Sequence, residues 1–143
     1  MFNPAHIHPM IVHFPIALII FGFLSDLIFL FYKKEVCLSK TGFYLMVIGT
    51  LGAVTAYITG QFFTNEPAQG EIVSVFTKHE TFALVTIIIM LIGSLLRIYM
   101  VLMKRDETYL KWVVFIFCLL GTISVSITGF LGGTMVYNYM MSI

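Results

Sequence analysis

The sequence predicts an all-α membrane protein: a four-helix bundle made of two pseudo-symmetric helical hairpins, with both termini on the external side. Three observations lead there. Of 143 residues 59% are hydrophobic and only 10% charged, a surplus of apolar surface that a soluble domain of this size has no interior to hide. The apolar residues gather into four long runs. The runs then carry a short internal repeat.

The runs are Met10–Tyr32, Gly42–Phe63, Phe82–Met103 and Trp112–Leu131. Each supplies the roughly 20 apolar residues that a helix needs to cross the hydrocarbon. A spanning backbone must satisfy its own polar groups, and none of the runs alternates as a barrel strand does. With their flanks they predict helices over about 9–32, 42–63, 78–103 and 110–133, forming one domain over 1–143. Pro9 suits the first turn of the first helix. Pro15 falls inside it, where it frees the Ile11 carbonyl and predicts a kink. The 64–70 stretch, with Asn65, Pro67 and Gly70, reads as a loop leading into a short interfacial turn over 71–76. Thr77-Lys78-His79-Glu80 fits a capping box, with Thr77 as N-cap of the third helix.

Basic residues set the orientation. Lys33, Lys34 and Lys40 flank the first connection, and Arg97, Lys104, Arg105 and Lys111 bracket the third. Only Lys78 lies on the other side, so the positive-inside rule puts both termini and the 64–77 loop outside. The N-terminus has no basic residue and the first run is too long for a signal-peptide core, so no cleaved signal is expected. Cys37 sits in a cytoplasmic hairpin, where disulfides are rare, and Cys118 lies within a span; both read as structural. A net charge of +1 points to no nucleic acid. No nucleophile–base set, phosphate loop or acid pair is present, so hydrolysis and group transfer have no support.

The repeat links His13-Phe14-Pro15-Ile16-Ala17-Leu18 with His79-Glu80-Thr81-Phe82-Ala83-Leu84, and Ile58-Thr59-Gly60 with Ile127-Thr128-Gly129. Each half then enters with a histidine and returns with Thr-Gly, a parallel repeat about an axis along the membrane normal. Helical spacing sets His13, Ala17, Ile20 and Leu24 on one stripe and His79, Ala83, Thr86 and Met90 on its counterpart. Facing them are Gly49, Gly52, Ala53, Ala56 and Gly60 on the second helix. Gly121, Thr122, Val125, Gly129 and Gly132 do the same on the fourth. Small residues there serve close helix packing or make room for a flat cofactor. Two facing neutral imidazoles are how bundles hold haem iron. His13 and His79 are therefore the expected axial ligands of a b-type haem, with Gly60 and Gly129 giving the macrocycle space. Copper or zinc is the other metal option, but each needs a third or fourth ligand. His8, five residues from His13 and pointing elsewhere on a regular helix, is the weaker candidate; His6 and Met10 are further ones. Near the interface the histidines also have a purely structural reading, facing headgroups and water. Asp26 and Arg97, both toward the cytoplasmic ends of their helices, read as a structural ion pair.

Two motifs resemble a known family. His8-Pro9-Met10 followed by Val12-His13-Phe14-Pro15 is similar to the opening signature of the "domain of unknown function 2231" family of membrane proteins. Thr128-Gly129 followed by Gly132-Gly133-Thr134-Met135-Val136-Tyr137 resembles its closing motif. Asp26 and His79 stand where that pattern has an acid and a histidine. The resemblance implies a four-helix domain in a prokaryotic cytoplasmic membrane, sometimes beside or fused to redox proteins. The family often has a histidine two residues past the Val-Tyr pair, where this chain has Tyr139.

The function expected is thus an external haem-binding electron-transfer module passing electrons to a quinone or another redox partner. Its rivals are a cofactor-free accessory subunit of a larger complex, a histidine metal-binding protein and, less favoured by size, a transporter. A homo-oligomer is compatible with each.

Overall fold

The computed structural model describes residues 7–64, 67–105 and 108–139, and these form four helices. They are α1 (Ile7–Phe31), α2 (Val36–Phe63), α3 (Glu71–Leu102) and α4 (Thr108–Tyr139). All four are long and apolar enough to span a bilayer. At 32 residues each, α3 and α4 are about 48 Å long, well beyond the ~30 Å hydrocarbon core.

The helix ends depart from the sequence expectation in an instructive way. The 71–76 stretch is not a separate turn, because α3 already begins at Glu71. Gly70, at φ 97, occupies the N-cap position in a conformation that a Cβ would disfavour. Glu71 then lies in the first turn, where a negative charge complements the helix dipole. Thr77 is therefore no cap: its hydroxyl donates to the Val73 carbonyl within the helix. Likewise α2 starts at Val36, six residues before its apolar run, and α4 continues to Tyr139. Apolar runs mark the part of a helix in lipid, and backbone hydrogen bonding does not stop at that boundary. Pro15 sits inside α1 with its ring packed against Gly52 of α2.

α1 packs chiefly on α2 and α3 chiefly on α4, while lighter α1–α4 and α2–α3 seams join the two hairpins. The helices thus run in ring order, with α1 diagonal to α3. His8 near the start of α1 meets Ala56 near the end of α2, and His79 near the start of α3 meets Thr128 near the end of α4. Neighbouring helices are therefore antiparallel, and the start of α1 shares one end of the bundle with the end of α4. Ile19, Met46, Met90 and Cys118 form the fully buried centre.

Glycine contacts define the register of the repeat. Gly22 of α1 lies against Leu45, and Gly93 of α3 against Phe117. Gly49 of α2 receives Ile19, and Gly121 of α4 receives Met90. Positions 19 and 22 correspond to 90 and 93, a shift of 71 residues, whereas 45 and 49 correspond to 117 and 121, a shift of 72. This corrects the register that pairs His13 with His79 and Gly60 with Gly129. The structural equivalents are His8 with His79, Ala56 with Thr128, and Gly60 with Gly132. A few matched residues in apolar sequence align at several offsets; glycines that admit a large side chain align at one.

By the same shift Asp26 corresponds to Arg97. The two meet across the bundle diagonal in a bidentate ion pair whose side chains are 8% and 12% exposed. One guanidinium nitrogen donates to the second carboxylate oxygen at 2.7 Å and also to the Ser39 carbonyl at 2.9 Å. Gly42 leaves the carboxylate its space. Thr50 pairs with Ser94 at 2.8 Å, and Thr86 donates to Ser124 at 2.8 Å. Among the described residues no buried side-chain polar atom lacks a hydrogen-bond partner, as a water-free interior requires.

Candidate functional site

At the end of the bundle that holds the start of α1 and the end of α4, the hairpins part around a cavity of about 370 Å³. That is within the range of about 300–1,000 Å³ typical of small-molecule sites. Ala53, Ala83 and Val125 give it apolar walls, and both His8 and His79 line it. Tyr57, Gln61 and Glu80 are also on its surface. The Gln61 amide donates to the Glu80 carboxylate at 2.9 Å, linking α2 to α3.

Each hairpin builds half of this site in the same manner. The His8 Nδ1–H donates to the Ala56 carbonyl at 2.9 Å, and the His79 Nδ1–H donates to the Thr128 carbonyl at 3.0 Å. A carbonyl only accepts, so each ring carries its proton on Nδ1 and its lone pair on Nε2. Four residues beyond each accepting carbonyl stands a glycine. A Cβ on Gly60 would lie 3.0 Å from His8 Cε1, and one on Gly132 would lie 3.4 Å from His79 Cε1. Gly60 lets the His8 ring slide in beside the helix backbone and reach the carbonyl one turn back, while at Gly132 an added Cβ would make ordinary contact with the His79 ring.

A backbone carbonyl on Nδ1–H is also the arrangement that orients a ligating imidazole and strengthens its other nitrogen as a donor. Two such rings on one cavity, presented by facing hairpins, have the donor set for two axial positions on one iron. Among the described residues no three of His, Cys, Asp and Glu gather as metal ligands. A bare zinc or copper ion wants a third or fourth protein ligand.

The other expected site residues fall differently. His13 borders the cavity, but it is exposed and its Nδ1–H donates to the Pro9 carbonyl of its own helix at 2.7 Å. Gly129 also lines the cavity, and it makes room there for Ile16, whose Cδ1 would lie 3.2 Å from an added Cβ. Met10 is 63% exposed, and His6 lies outside the described residues. Tyr139 stands at the end of α4 with its hydroxyl donating to Glu71 at 3.4 Å. His8, the weaker candidate in the sequence, is the histidine of α1 with an inter-helix carbonyl partner, and nothing in the sequence singles out the Gly132 contact with His79. Sliding Gly22 onto Gly93 and Asp26 onto Arg97 brings His8 onto His79, and that shift is the signal that finds them.

Residues 4–143 match the family described as "Predicted membrane protein (DUF2231)". No curated protein and no solved structure shows significant similarity to the chain. With the match covering nearly its full length and four helices able to cross a bilayer, the chain belongs to the DUF2231 family of membrane proteins.

Proposed function

We propose that this membrane protein is a one-electron carrier that binds a b-type haem between its two hairpins, with His8 and His79 as the axial ligands. The observation that carries the reading is the duplicated half-site: two imidazoles, each with Nδ1–H bound to a helix carbonyl, on one apolar cavity. When bound, a haem would supply a reversible one-electron Fe(III)/Fe(II) couple. The chain supplies the rest. Ala56 and Thr128 fix the tautomers, and Gly60 and Gly132 set how deeply the rings lie against α2 and α4. Ala53, Ala83 and Val125 supply apolar wall.

Seven of the eight basic side chains belong to the opposite end of the bundle. The positive-inside rule therefore supports an external location for the cavity. A site within the spans of α1 and α3 exchanges electrons most directly with a membrane-soluble quinone or a membrane-bound protein. His8 stands as ligand in place of the expected His13, because His8, not His13, has the inter-helix carbonyl and the glycine beside its ring.

The test is a pair of visible spectra on detergent-purified protein from haem-replete cells, oxidised and dithionite-reduced, with iron measured on the same sample. The expected result is a sharp reduced band pattern and about one iron per chain. A colourless, iron-free protein would overturn the reading. If it also co-purified with a stoichiometric partner, an accessory-subunit role would take its place.

A further inference from the structure

The two half-sites differ at one position. His8 Nδ1 lies 2.9 Å from the Ala56 carbonyl and also 3.3 Å from Thr59 Oγ1. The Thr59 hydroxyl donates its own proton to that same carbonyl at 2.9 Å, which leaves its oxygen lone pairs available to the His8 N–H. The 72-residue shift that matches Ala56 with Thr128 matches Thr59 with Leu131, which has no such oxygen. In the second half the Thr128 hydroxyl donates to the Ser124 carbonyl at 2.9 Å. His8 therefore has two acceptors around its N–H where His79 has one.

We infer that Thr59 is a positioning and tuning residue that makes the two histidines unequal donors, so that His8 is the more electron-rich ligand. The inference rests on the haem reading for its redox consequence and goes beyond it by assigning a determinant of the potential. A second acceptor pulls the Nδ1 proton away from the ring, shifts electron density toward Nε2 and favours the ferric state of an iron bound there. The site then holds its electron less tightly than a symmetric pair of ligands would.

The test uses the full chain as Thr59→Val, Thr59→Ser and Leu131→Val. Valine keeps the shape of threonine and removes the oxygen; serine keeps the oxygen; Leu131→Val perturbs packing at the equivalent place without touching a hydroxyl. In the haem-loaded protein the midpoint potential should rise in Thr59→Val and stay near wild type in the other two. In cofactor-free protein the nitrogen-bound proton resonance of the His8 ring should move in Thr59→Val while that of His79 does not. An unchanged potential in Thr59→Val, or an equal shift in Leu131→Val, would overturn the inference while leaving the haem reading standing. A wild-type protein that takes up no haem would overturn the haem reading and the tuning role with it. In that case the proton resonances alone would decide whether Thr59 holds His8.

Discussion

The two ends of this bundle use the same pseudo-symmetry in opposite ways. At one end the equivalent positions carry opposite charges, Asp26 and Arg97, which close on each other in a bidentate pair. At the other end they carry the same residue, His8 and His79, each anchored to its own hairpin, with a cavity between. Complementary groups satisfy one another and leave nothing for a third party. Identical groups cannot: two imidazoles in the same tautomer present two lone pairs and no donor between them. Such a pair is open to a group that accepts from both, the part that the proposed iron would take. One end of the bundle is a closed structural joint, and the other has the chemistry of a binding site.

The sharpest way to break the comparison is at the closed end. Arg97→Gln leaves the Asp26 carboxylate buried without its counter-charge and should cost about 3–5 kcal/mol. Thermal unfolding in detergent would show the loss, and the double variant Asp26→Leu with Arg97→Met should recover most of it. A single variant as stable as wild type would show that the pair does not tie the hairpins together.

At the open end the glycines come next. Gly60→Ala presses on His8 at 3.0 Å and should cost about 1–3 kcal/mol of stability by overpacking and weaken cofactor retention. Gly132→Ala meets His79 at 3.4 Å, an ordinary contact, and should stay within about 0.5 kcal/mol of wild type. Equal behaviour of Gly129→Ala in cofactor retention would return the site to the register read from the sequence. Smaller than the Gly60 effect is that of the Thr50–Ser94 hydroxyl pair in the centre. Thr50→Val should cost about 0.6 kcal/mol, the average measured for hydrogen bonds between membrane helices. Last, Gln61→Ala cuts an exposed contact to Glu80 and should stay within about 0.5 kcal/mol of wild type. A larger effect would mean that this contact helps to hold the α2–α3 seam.

The four spans were legible because hydrocarbon thickness writes itself into composition: about 20 apolar residues leave little doubt about a helix. The helix ends were less so, because Glu71–Phe76 follows a loop and reads as a short interfacial turn while Gly70 caps the helix start. The duplication was visible, but its register was not. His13 and His79 align in sequence with an Ala-Leu pair after each. The contacts that fix the alignment, Gly22 with Leu45 and Gly93 with Phe117, depend on which face of a helix meets which neighbour. The Asp26–Arg97 partnership was readable because two lone charges in apolar spans at similar depth have few other options. His8 was harder to read, since a histidine near a chain end looks solvated until its carbonyl partner on α2 is known.

Whether His8 and His79 hold one haem between them is read from the reduced-minus-oxidised spectra of His8→Ala, His79→Ala and His13→Ala purified side by side. Loss of the haem signature is expected in the first two and a wild-type spectrum in the third. A normal spectrum in His8→Ala with loss in His13→Ala would contradict that pairing.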